Sequence, residues 1–257
     1  MIGILPKFFQ LKAIDDLIRL GGKHDGGYLV SEADVKSSDI LITLGMGTDW
    51  RFEIDFVKKN NVSLNIYDAS VNKKYFLSLI KNSIIRFYRP NNILFYLKLY
   101  FSYINFFKND RKHIEKFVSS NLNLSFNDKK KYCTINDIFR NSDFKSIFLK
   151  IDIEGDEYRI LDSILTYQNR IKSLVIEFHN CDIHFSKIKN FISKFSLSLV
   201  HIHANNYTPI SANNLPLTLE ATFSKNFNSS SNNNSLNSEL DMSNSEHREE
   251  INLTFEK

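Results

Sequence analysis

The chain has 257 residues, 42% hydrophobic and 24% charged, with a formal net charge of +4. That length gives one large α/β domain its own core, and the hydrophobic content is ordinary for a soluble globular protein. Two cysteines exclude a disulfide framework and point to a reducing cytoplasm; the longest aromatic-apolar stretch, 84–107, is broken by Arg86, Arg89, Pro90 and Lys98, which excludes a spanning helix.

Lys12, Asp15 and Asp16 follow the first apolar residues at once, so no secretion signal is expected. Residues 7–20 place Phe9, Leu11, Ile14, Leu17 and Ile18 near helical spacing, which predicts a short amphipathic helix. Gly21, Gly22, Gly26 and Gly27 then crowd together before Tyr28-Leu29-Val30, so backbone either passes close to something there or adopts positive φ. Residues 39–44 read as a buried strand entering the turn Gly45-Met46-Gly47-Thr48-Asp49-Trp50, with a helix pattern behind it. Strand, glycine turn and helix let backbone N–H groups approach a nucleotide-type ligand. The next strand, 62–67, ends in Asp68, 21 residues after Gly47, where a carboxylate can accept both hydroxyls of a ribose.

Residues 71–131 hold thirteen Lys and Arg against three Asp and Glu, so the remainder of the chain is near −6. They also hold thirteen of the thirty-four aromatics, and Ile93, Leu97, Tyr100, Phe101, Ile104 and Phe107 predict a long amphipathic helix. Residues 72–130 are therefore read as a basic helical insertion in a single domain spanning 1–257. Such an insertion suits a phosphorylated substrate, a homo-oligomer contact or peripheral contact with an anionic membrane. Nucleic acid is not an expected partner, since no RNP, KH or helix-turn-helix pattern is present.

A short strand at 132–135 and a helix opening at Asn136-Asp137 lead to the central strand. Ile147, Phe148, Leu149, Ile151 and Ile153 are its apolar run, while Lys150, Asp152 and Glu154 fall on every second position and leave on one face. Three ionisable groups there are too costly to bury unpaired, which places them where a parallel sheet opens into a crevice. Gly155 ends the strand, and Asp156 and Glu157 suit the start of a helix. Residues 170–180 end the same way, Leu174-Val175-Ile176 giving way to Glu177 and His179. A helix at 188–195, a strand at 197–203 with His201 and His203 on one face, and a strand at 215–223 follow; the two late strands suggest an antiparallel edge hairpin. The Ser/Asn tract 224–238 reads as a mobile low-complexity segment, and 240–255 as a terminus that docks in extended form.

LKIDIEGDEYRIL (149–161) followed by LVIEFH (174–179) resembles the FkbM-type family of S-adenosylmethionine-dependent methyltransferases. The likeness extends to 24–30, 44–56, 67–70, 133–139, 201–206 and 215–223. The commoner family loop reads DxGAN, whereas Thr43-Leu44-Gly45-Met46-Gly47 stands here and leaves the contact to the methionine end of the cofactor open. The resemblance implies a Rossmann-like methyltransferase fold, with a mostly parallel seven-stranded sheet and an antiparallel edge strand. It also implies methyl transfer to a hydroxyl of a nucleotide-activated sugar or glycan precursor for surface polysaccharide. Gly45, Met46, Gly47, Asp68 and Ala69 would hold the cofactor, and Asp152 would lie near its amine or the acceptor. The transfer needs alignment and a proton acceptor, for which His179 is the first candidate and His203 the second. Asp152, Glu154, Glu177, His179 and His203 also form a donor set suited to Mg²⁺ or Mn²⁺. A non-catalytic scaffold of the same fold and an NAD-dependent enzyme are the competing readings.

Overall fold

Period-two alternation decides which core each strand residue joins. The computed structural model describes residues 1–85, 90–120, 130–140, 142–233 and 236–256. Its main sheet consists of β1 (Ile40–Leu44), β2 (Ser63–Tyr67), β3 (Arg111–Ile114), β4 (Ile147–Ile151), β5 (Ile171–Phe178), β6 (Ser198–Ala204) and β7 (Leu219–Ser224). The order is β3-β2-β1-β4-β5-β7-β6, parallel throughout apart from β7, which runs antiparallel to both neighbours. The expected antiparallel strand is thus present but sits one place inside the edge. Among the described residues, besides a short α-helix at Glu32–Ser37, the helices are α1 (Arg51–Lys59), α2 (Lys73–Ile85), α3 (Pro90–Phe106), α4 (Ile135–Arg140), α5 (Leu161–Tyr167) and α6 (Cys181–Lys194). Ile40, Ile42, Leu44, Leu149 and Ile151 face the core under α4, α5 and α6. Leu41, Phe148 and Val175 face the core shared with α1, α2 and α3.

That second face also buries a charge pair. Lys150 Nζ lies 3.3 Å from Glu53 Oε1 on α1, and Thr43 Oγ1 donates to the same oxygen at 2.9 Å. Lys150 therefore forms the floor beneath the strand ends instead of projecting from them. Leu44 pairs with Ile151 and with Tyr67, so β1, β2 and β4 end level, while Ile151 pairs with Ile176 and β5 runs two residues further, to Phe178. The chain winds outward from β1 in one direction and returns at β4 to wind in the other. This is the switch point where a doubly wound sheet opens a crevice.

Several expectations change. Residues 7–20 form no α-helix: a 3-10 turn (Lys7–Phe9) precedes strands at Leu11–Ala13 and Leu17–Leu20, the latter pairing with Tyr28–Ser31. Phe9 ends the 3-10 turn and Leu11 opens the strand after it, and both are buried in the core under α4, α5 and α6. The glycine-rich turn of this hairpin closes on itself, since a Cβ at Gly27 would stand 2.0 Å from the Gly22 carbonyl oxygen. The stretch 72–130 is not wholly an insertion, because β3 within it is the sheet's edge strand and α2–α3 form the crossover into it. Within 224–238, the segment Asn228–Asn233 is a strand paired with Leu11–Ala13. Asn252–Phe255 docks in parallel on Ile2–Leu5, as an extended terminus should. Among the described residues no helix is long and apolar enough to cross a membrane.

Candidate active-site cleft

At the end of β1 the chain turns through Gly45 with φ +81°, and a Cβ there would lie 1.7 Å from the Asp152 carbonyl oxygen. Only glycine lets the tips of β1 and β4 approach this closely. Gly47 (φ +57°) faces open space. Asp68, at the tip of β2, closes the other side of the loop. Its Oδ2 accepts the Met46 and Gly47 N–H groups, both at 2.8 Å, and its Oδ1 accepts Ser70 N–H at 2.7 Å and Ser70 Oγ at 2.6 Å. A carboxylate offers about four acceptor positions, so all are filled. Of the four donors only the Ser70 hydroxyl can rotate away for a ligand hydroxyl without moving backbone. The cleft beside this loop has a volume of about 530 Å³ and is walled by Tyr67, Phe117 and Val118 opposite Asp152 and Glu154. Ala69 is half-buried and lies outside that lining, whereas Ser70 belongs to it.

Beyond Asp152 the strand alternation stops. Glu154 (φ +54°) and Gly155 (φ +103°) turn the chain back, and Asn180 (φ +50°) does the same after β5. The result brings together Asp152, Glu154 and His179, with one potential ligand atom from each within 4.8 Å of the others. Glu177 Oε1 lies 3.8 Å from His179 Nε2 and also accepts from Asn205 Nδ2 at 2.9 Å. The Tyr28 hydroxyl stands between Asp152 and Glu177, at 3.4 and 3.3 Å.

Glu157 ties this arrangement together. It lies in a 3-10 turn (Glu157–Arg159), not at an exposed α-helix start, and is fully buried. It accepts Gly155 N–H at 2.9 Å and His179 N–H at 2.7 Å, and its Oε1 is 3.3 Å from His179 Nδ1. A carboxylate can only accept, so Nδ1 carries the hydrogen and Nε2 faces Glu154 at 3.5 Å.

Charge in the cleft is unbalanced. Burial raises the Asp152 pKa to about 6, against the opposing pull of Lys150 and His179. Burial, then Asp152, Glu220 and Asp25, push Glu177 well above the carboxylate range. For His179 burial favours the neutral ring, but Glu157, Asp152 and Glu154 outweigh it and raise the pKa. The site holds more acidic groups than its buried cation, engaged by Glu53, can balance, and burial with this crowding favours their protonated forms.

His203 does not join the cluster. It sits on β6, level with Glu220 of β7, which is level in turn with Glu177 of β5. That places it two strand spacings, about 10 Å, from Glu177. Both ring nitrogens are occupied, Nδ1 3.2 Å from Glu220 and Nε2 2.9 Å from Glu250. Burial favours the neutral ring, but these acids raise its pKa to about 10. This removes His203 as second base and as metal donor. Glu157, Tyr28 and Asn205 are the residues that sequence reasoning left without a role; the motifs around 24–30, 152–157 and 201–206 contained them.

A doubly wound sheet with a glycine turn after β1, an acid after β2 and an acid–imidazole group across the switch point defines a Rossmann-like α/β protein with a cleft sized for a nucleoside ligand. No family model and no curated protein matches the chain. Among solved structures it is similar to a METTL16 MTase domain (10% identity, TM-score 0.42), the match covering 74% of this chain and 61% of that one. It is similar also to a putative RNA methyltransferase from Pyrococcus horikoshii (9% identity, TM-score 0.41, 75% and 77% covered). A third is precorrin-6y C5,15-methyltransferase from Geobacter metallireducens (12% identity, TM-score 0.36, 75% and 84% covered). The chain spans less than two thirds of the first of these.

Proposed function

We propose that this chain is an S-adenosylmethionine-dependent O-methyltransferase acting on a hydroxyl of a nucleotide-activated sugar or glycan precursor. One observation carries the choice of cofactor. The Met46 and Gly47 N–H groups, which would have to cradle the pyrophosphate of a dinucleotide, are already bonded to Asp68. The surrounding carboxylates, Asp25, Asp49, Asp152, Glu154 and Asp156, repel a pyrophosphate and attract a cationic sulfonium. Tyr67, Phe117 and Val118 offer the apolar wall a purine needs, and Asp68 with Ser70 meets the ribose. Bound there, the cofactor supplies an electrophilic methyl group on positively charged sulfur.

The residues of the chain then have to align a hydroxyl and accept its proton. His179 suits this: Glu157 holds Nδ1–H and fixes the ring, leaving Nε2 toward Glu154, which lines the cleft. The oxygen and nitrogen donors of Asp152, Glu154 and His179 also fit a Mg²⁺ or Mn²⁺ ion, with Glu177 beside them. When bound, such an ion would orient neighbouring sugar hydroxyls and lower their pKa. Base and ligand are exclusive roles for Nε2, so metal dependence decides between them. Two buried free thiols, Cys133 and Cys181, suit the reducing cytoplasm in which sugar nucleotides are made. The test is a product-mass screen of GDP-, UDP- and CDP-sugars with S-adenosylmethionine. A gain of one methylene supports the reading, and cofactor binding without methylation across the panel turns it to a non-catalytic protein.

A further inference from the structure

We infer that the α2–α3 helical pair is a docking surface for an anionic lipid bilayer. From Ala69 to Asn109 the sequence contains no Asp or Glu. On α2, Phe76 and Ile80 are buried, whereas Leu77 (48% exposed) and Ile84 (50%) stand seven apart on another flank. Exposed Lys74 and Lys81 repeat the same seven-residue step beside them, so an apolar row and a basic row run together along the helix. On α3, Tyr103 and Phe106 are buried, while Leu94 (57%) and Phe101 (57%), again seven apart, are exposed with Lys98 on their flank. The two helices pack against each other, so both exposed flanks belong to one helical pair. Scattered exposed apolar residues need no explanation; apolar rows flanked by lysine on two neighbouring helices do.

The chemistry selects the partner. An interfacial helix buries an apolar face among headgroups and sets its lysines against anionic lipid. A second copy of the chain is disfavoured, because a two-fold contact would press Lys74, Lys81 and Lys98 against their own copies. Single-stranded RNA would call for stacking platforms beside the basic groups; Phe95 and Phe101 on α3 are exposed aromatics, but Leu77 and Ile84, which run beside Lys74 and Lys81 on α2, do not stack. The inference is independent of which cofactor fills the cleft.

Co-sedimentation of the full chain with vesicles tests it. Binding is expected to phosphatidylcholine vesicles containing phosphatidylglycerol, with at least about a tenfold loss on neutral vesicles or in high salt. Lys74→Ser, Lys81→Ser and Lys98→Ser together should weaken it by about two orders of magnitude. Leu77→Ser, Ile84→Ser and Phe101→Ser together should weaken it at least as far as neutral vesicles do, with circular dichroism unchanged. Equal binding of the unmodified chain to neutral and anionic vesicles overturns the inference without any variant. So does unaltered binding by both triple variants, tighter binding to polyuridylate than to vesicles, or a dimer in sedimentation velocity that the apolar variant converts to monomer.

Discussion

Replacing Glu157 with Gln probes the residue that joins the turn after β4 to the end of β5. The carboxylate accepts two backbone N–H groups, at 2.9 and 2.7 Å, and faces the His179 ring at 3.3 Å. An amide keeps one acceptor oxygen and turns an NH₂ group toward another donor. Hydrogen bonds to a charged group contribute about 1.5–3 kcal/mol each, and an unpaired buried N–H costs a similar amount. Losing one bond and weakening another should therefore cost about 3 kcal/mol, a fall in thermal midpoint on the order of 5–10 °C. The His179 pKa should also fall, because Glu157 is the strongest influence raising it. The sign follows from linkage. A raised imidazole pKa stabilises the fold fully below about pH 6.5, and this is lost as pH rises through the folded value. The gap between parent and Glu157→Gln should therefore narrow as pH rises through that value. Proton-detected NMR titration of His179, with thermal unfolding across pH, measures both effects. Glu154→Gln is the control: Glu154 is 87% exposed, so it should change stability little. An unchanged His179 titration in Glu157→Gln, or an unchanged midpoint, refutes the reasoning.

Asp152→Asn should abolish transfer yet stabilise the protein at about pH 8. A carboxyl whose folded pKa is raised to about 6 contributes stability below the unfolded value and loses it as pH rises through the folded one; denaturant unfolding that finds the variant less stable at that pH contradicts this. Gly45→Ala should cost more than about 4 kcal/mol or prevent folding, since its Cβ meets the Asp152 carbonyl, while Gly47→Ala should cost only about 1–2 kcal/mol; equal denaturation midpoints for the two would remove the close approach of β1 and β4 from the account. Excess chelator should abolish transfer and Mn²⁺ or Mg²⁺ restore it; full activity in chelator leaves His179 as the base and removes the metal.

The four strands that meet at the cleft were legible because their apolar runs stop at Gly45, Asp68, Asp152 and Glu177, an abrupt change no surface element requires. Other features depended on partners that a linear pattern does not display. Residues 7–20 satisfy helical and strand spacing at once, and the pairing of Leu17–Leu20 with Tyr28–Ser31 decides between them. β3 reads Arg-Lys-His-Ile, so a charged edge strand passed for part of a basic insertion. Alternation put His203 on the correct face, but β7 stands between β6 and β5 and carries Glu220 into the gap. Glu157 escaped notice because left-handed Glu154 and Gly155 reverse the chain, turning an apparent helix-start acid inward.

The proposed methyl transfer requires that the cleft between β1 and β4 receive a sulfonium nucleoside and not a dinucleotide. Isothermal titration calorimetry of the full chain with S-adenosylmethionine and, separately, with NAD measures it directly. Saturable binding of the first is expected, sharply weakened in Asp68→Ala, with no measurable heat from the second. Binding of NAD with none of S-adenosylmethionine would contradict it.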